Sequence, residues 1–66
     1  MDVAALADLL RETSERHDSF EAVAPPHNWF DWYAAYLTAR REGETPEEAS
    51  EAAALYMKEA KGIVPR

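Results

Sequence analysis

The chain has 66 residues, no cysteine and a formal net charge of −6. These values exclude a disulfide scaffold and thiolate metal sites, and they set phosphate backbones and anionic bilayers against the chain. Neither nucleic acid nor a membrane is an expected partner, and no apolar run reaches the ~20 residues of a membrane span.

From the N-terminus, Val3, Leu6, Leu10, Thr13, His17 and Phe20 recur at spacings of three and four, the signature of one helix face. A first helix over about 3–22 is expected, capped by Asp2 and ended by Pro25-Pro26, which cannot continue it. The next segment begins His27-Asn28-Trp29-Phe30-Asp31-Trp32-Tyr33-Ala34-Ala35-Tyr36-Leu37. Asn28 is read as the N-cap of a second helix over about 29–42, with Asp31 in the reciprocal capping position and Gly43 as the left-handed stop. Trp29, Trp32, Tyr33, Tyr36 and Leu37 cover more of its circumference than one neighbour hides, so this helix is expected at the centre. Thr45-Pro46-Glu47-Glu48 is a capping box with proline at the first helical position, which predicts a third helix over about 46–61. Ala49, Ala52, Ala53, Tyr56 and Ala60 form its packing face, and Gly62 with Ile63 closes it. Short connections favour antiparallel neighbours. The expectation is an all-α antiparallel three-helix domain spanning 1–66.

Two constellations stand out. His17 and Glu21 are one helical turn apart, and His27 and Asp31 follow just past the turn. Imidazoles and carboxylates can hold a ligand or a divalent ion, but this spacing matches no metal-binding signature. No metal and no cofactor are expected, and the bland alternative is that the histidines pack and cap. The second constellation is Trp29, Phe30, Trp32, Tyr33 and Tyr36, with Phe20 and Tyr56 nearby: seven aromatic residues in all. They can form an internal core, a docking surface or a pocket for an apolar small molecule. As a docking surface, Trp32 is expected to face outward, with Trp29, Tyr33 and Tyr36 turned in. Arg40 and Arg41 suit the negative end of the second helix and pair with Glu44, Glu47 or Glu48. The hydroxyls Thr13, Ser14, Ser19 and Ser50 belong to no catalytic motif and no glycine-rich phosphate loop is present, so the chain is not expected to be an enzyme.

The pattern Glu15-x-His17, Phe20-Glu21, Pro25-Pro26-His27-x-Trp29-x-Asp31-Trp32-Tyr33-Ala34-Ala35-Tyr36, Ala39-Arg40 and Thr45-Pro46-Glu47-Glu48-Ala49 resembles a group of short bacterial proteins. Similar segments occur at the ends of longer glyoxalase/bleomycin-resistance, or vicinal-oxygen-chelate, chains. The resemblance implies a recurring helical module, free-standing or fused. It supplies no catalytic residue, because the activity of such chains belongs to a βαβββ domain absent from this sequence.

Burial of apolar surface contributes about 100 kcal/mol in a chain of this size, and ordering entropy opposes it by about the same amount. A partner protein or a second copy is therefore the expected source of further stability. The leading functional expectation is an acidic interaction module working through the aromatic second helix. The alternative is an accessory or ligand-binding module of vicinal-oxygen-chelate proteins, with His17, His27, Trp29 and Asp31 lining a small site. Met1-Asp2-Val3 lacks the regions of a signal peptide, so a cytoplasmic location is expected.

Overall fold

Capping and periodicity set three helices: α1 (Val3–Glu21), α2 (Trp29–Arg41) and α3 (Pro46–Lys61). The computed structural model describes residues 2–65, and no strand occurs among them. The Asp2 carboxylate accepts the Ala5 N–H at 2.8 Å and starts α1. At the start of α3 the Thr45 hydroxyl accepts the Glu48 N–H at 3.2 Å, while the Glu48 carboxylate accepts the Thr45 N–H at 2.9 Å. Both halves of the capping box are thus formed. Asn28 takes the extended N-cap conformation, but its side chain makes no cap bond. Asp31 is drawn instead to Lys61 Nζ, 3.8 Å away at the end of α3, so the box expected at Asn28 does not form. Gly43 and Gly62 carry the positive φ values, 94° and 68°, that let α2 and α3 stop abruptly.

The central helix buries Trp32, Tyr36 and Ala39. At about 100° per residue these three positions span roughly 60° of its circumference, the narrow arc that its two neighbours cover. Trp32 and Tyr36 stack with centroids 5.1 Å apart and planes inclined by 14°. On one side they meet Ala49, Ala53 and Met57 of α3; on the other they meet Thr13, His17 and Phe20 of α1. Small alanine side chains let the α3 backbone approach the rings closely. The face of α3 is rotated from the expected one: Met57 is fully buried and Tyr56 lies 42% exposed at its edge.

The expected orientation of the tryptophans is reversed. Trp32 is 1% exposed and Trp29 57% exposed, because Trp29 opens α2 and lies off the arc its neighbours cover. Trp32 carries a cost as well, since its indole N–H is buried without an acceptor, worth about 1–3 kcal/mol.

The stripe on α1 divides in two. Thr13, His17 and Phe20 are buried, whereas Val3, Leu6 and Leu10 are exposed. Glu12 lies level with Arg40, which it binds at 2.8 Å, one residue before α2 ends. Leu9, one turn before Thr13, still packs against the core, and the exposed apolar positions lie to either side of it.

Replacing Thr45 with Ala removes the hydroxyl acceptor and should cost about 1 kcal/mol. A drop of about 4–8 °C in the thermal midpoint followed by circular dichroism is expected for a domain of this size; a midpoint within a degree of the parent protein means that the box does not govern the start of α3.

Candidate functional site

The Pro25-Pro26 turn determines where His27 goes. Proline fixes its own φ and holds the preceding residue extended, so the chain leaves α1 and doubles back. His27 Nδ1 then lies 2.9 Å from the Pro25 carbonyl oxygen. A carbonyl can only accept, so the neutral ring carries its hydrogen on Nδ1 and presents a lone pair at Nε2. That Nε2 lies 3.0 Å from His17 Nε2. Glu21, one turn after His17, places Oε2 at 3.2 Å from His17 Nε2 and 3.7 Å from His27 Nε2. Three ligand-type atoms from two sides of the turn thus converge.

Their surroundings are dry on one side and wet on the other. The side chain of His27 is 1% exposed and that of His17 8%, but that of Glu21 is 54% exposed. Phe20 meets His27 edge-on at 5.2 Å, and Trp32 and Tyr33 each meet His17 at 5.4 Å. Burial holds His17 below its usual value of 6.5, the Glu21 carboxylate beside it opposing and the neighbouring His27 ring adding to the fall whenever it is protonated. The ring is neutral at pH 7.

Asp31, grouped with these residues on sequence grounds, turns its carboxylate to a different partner. It pairs with Lys61 and lines a separate cavity of about 200 Å³ with His27, Asn28, Met57 and Ile63. The ring contacts of Trp29 are with Phe30 and Tyr33, at 5.6 and 4.9 Å. The expected site of His17, His27, Trp29 and Asp31 is thus not one cavity: Asp31 shares a cavity wall with His27 alone, and the direct polar contact is between the two histidines.

The aromatic cluster splits between core and surface. Tyr36 and Trp32 belong to the core, so neither is available as an interface in the folded chain. Tyr33 is half-buried, and Trp29 and Phe30 are exposed. Tyr56 lines an open groove of about 410 Å³ between α2 and α3, floored mainly by alanines. Of the hydroxyls considered for catalysis, Thr13 donates to the Leu9 carbonyl at 2.6 Å, and the Ser50 hydroxyl is buried without a partner.

One polar cluster was not visible in the sequence. Glu12 accepts hydrogen bonds from the Tyr36 hydroxyl and, at 2.8 Å, from Arg40 Nε; Arg40 Nη1 also donates to the Glu44 carbonyl at 2.8 Å. The Arg40 hydrogen bond is the main force holding Glu12 below the usual carboxylate value, and burial pushes the Tyr36 hydroxyl up to about 12. Arg40 therefore pairs across to α1 rather than with the carboxylates expected on sequence grounds, and Arg16 takes Glu47 at 3.2 Å. Glu12 sits between Arg11 and Thr13 with no motif around it; only the antiparallel register brings it to Tyr36.

Comparison with known protein families, with curated proteins and with solved structures finds no match to this chain.

Replacing Tyr36 with Phe keeps the ring and leaves Glu12 bound to Arg40, so urea unfolding should show a loss of only about 1 kcal/mol. The pH dependence follows from Glu12. Its folded value lies below the unfolded 4.5, so its contribution is complete above that pH and is lost as pH falls through the folded value. The stability gap between the parent protein and Glu12→Gln should therefore narrow on acidification below pH 4.5. A gap constant with pH means that the carboxylate charge contributes nothing.

Proposed function

We propose that the chain is a helical interaction module that associates with a second copy of itself through the ring surface at the start of α2. The observation that supports this is the exposure of Trp29 and Phe30, 57% and 53%, two large rings set edge to face on a very small protein. A two-fold contact lays one patch against itself, and rings that offer both a face and an edge are complementary to their own copy. Neither residue is charged, so neither adds to the repulsion that the net charge of −6 sets between copies.

The size of the patch sets the strength of the contact. Each ring offers on the order of 100 Å², well short of the ~800 Å² per partner of a stable interface. Association is accordingly weak and concentration-dependent, with Tyr33 at the rim. A second reading, an accessory or ligand-binding module of vicinal-oxygen-chelate proteins, draws support from the convergence of His17 and His27 within 3.0 Å. In both readings the chain binds rather than catalyses.

Sedimentation velocity over a dilution series should show a monomer–dimer equilibrium, and the thermal midpoint should rise with protein concentration. Trp29→Ala should shift the equilibrium to monomer while leaving the fold intact. Trp32→Ala should instead cost about 3–5 kcal/mol of stability. A parent protein that remains monomeric, with a midpoint independent of concentration, rules out self-association and leaves a foreign protein as the occupant of the patch.

A further inference from the structure

At the turn between α1 and α2, His17 Nε2, His27 Nε2 and Glu21 Oε2 are separated by 3.0, 3.2 and 3.7 Å. Two ligand atoms on a tetrahedral ion with bonds of about 2.0–2.1 Å stand about 3.3 Å apart. The observed separations bracket that edge without any movement of the backbone. We propose that these three side chains form a binding site for one divalent transition-metal ion of the zinc type.

The hydrogen inventory supports a cation at this point. His27 spends its ring hydrogen on the Pro25 carbonyl, so its Nε2 can only accept. The ionised Glu21 carboxylate can only accept as well. With its hydrogen on Nε2, His17 is the one donor of this trio, and that hydrogen must be divided between two acceptors, His27 Nε2 and Glu21 Oε2. Glu21 Oε2 and His27 Nε2 consequently face each other at 3.7 Å with nothing to donate between them. A divalent ion accepts all three lone pairs at once, and His17 then carries its hydrogen on the other ring nitrogen.

The supporting shell is the kind that metal-binding imidazoles use. A ring N–H held by a backbone carbonyl fixes the tautomer and the aim of His27, and the proline pair behind it limits the freedom of that carbonyl. Phe20, Trp32 and Tyr33 wall the two imidazoles from solvent, while Glu21 stands on the open side. Three protein ligands with one wet face leave a coordination position for water or for a donor from another molecule. Two imidazoles and a carboxylate suit zinc, cobalt, nickel or copper, whereas calcium and magnesium prefer all-oxygen sites.

The test uses the full chain stripped with chelator and titrated with Zn²⁺, with Co²⁺ as the spectroscopic probe. One equivalent of Zn²⁺ should bind and raise the thermal midpoint. Co²⁺ should give visible absorption of tetrahedral intensity, displaced by Zn²⁺ and unaffected by excess Mg²⁺. Glu21→Gln alters an exposed side chain and leaves the fold in place, and it should weaken Zn²⁺ binding by roughly 10-fold or more; His27→Gln should abolish it. If the chain takes up no Zn²⁺, or if it binds Zn²⁺ equally well after Glu21→Gln, the three side chains are only a hydrogen-bonded group and the proposal fails. Sedimentation repeated on the chelator-stripped protein reads dimerisation without the ion, so failure here leaves the self-association reading to stand or fall separately.

Discussion

The arrangement of the whole chain depends on where the stacked pair Trp32 and Tyr36 is buried. These are the two largest side chains with almost no exposure, one turn apart on a helix of 13 residues. Hiding them requires a partner on each side, and the two partners are built differently. Ala49, Ala53 and Met57 give α3 a low surface that brings its backbone close to the rings. Phe20, His17 and Thr13 give α1 a bulkier and more polar surface. Four of the eight apolar core residues are alanines, so a large share of the apolar burial comes from α2 itself. The core is correspondingly sensitive to truncation of either ring.

Polarity on the α1 side follows from the same pair. The Tyr36 hydroxyl enters the contact between α1 and α2 and needs an acceptor there, which Glu12 supplies; Arg40 then neutralises Glu12. The Thr13 hydroxyl turns back onto the Leu9 carbonyl, and the His17 ring faces His27 and Glu21. Buried polar groups are costly unless partnered, and this seam solves the problem with three separate local arrangements along α1. It also fixes the register, since sliding α1 by one turn against α2 would separate Glu12 from both Tyr36 and Arg40. Val3, Leu6 and Leu10 stay exposed on α1 outside that seam.

Most of the backbone was legible because its signals are local. Asp2, the Thr45 box, the proline pair and the two glycines act within a few residues of their position, and all three helices fall within a residue of their expected ends. Orientation around the helix axes was less legible. Trp29 and Trp32 are both compatible with a buried arc when α2 is read alone, and only the combined placement of α1 and α3 selects Trp32. The same holds for Tyr56 and Met57, whose packing depends on which side of α3 the rings occupy. Of the four residues grouped as a ligand set, His17 and Glu21 were predictable neighbours at one-turn spacing, and His27 followed from the tight turn. Asp31 was not predictable, because Lys61, thirty residues along the chain, competes for it. Glu12 was missed for a related reason: its role exists only in the contact between helices.

Tyr33 links the exposed rings to the histidine group. It lies 5.4 Å from His17 on one side and 4.9 Å from Trp29 on the other, both as edge contacts. A restraint on His17 therefore reaches the patch through a single ring. The segment between α1 and α2 holds no regular helix from Ala22 to Asn28, and a cross-link from residue 17 to residue 27 restricts the loop that it closes. Ordering entropy spent in that way is not spent again when a second molecule docks on Trp29. Were an ion bound at the turn and a second copy docked on the rings, any coupling between them would be reciprocal: whatever factor the ion added to self-association, self-association would add to the affinity for the ion. Positive coupling needs only that the bound ion hold Tyr33 and Trp29 as they stand in the monomer. Negative coupling requires the dimer to move Tyr33 off His17, which would uncover a ring that is now half-buried.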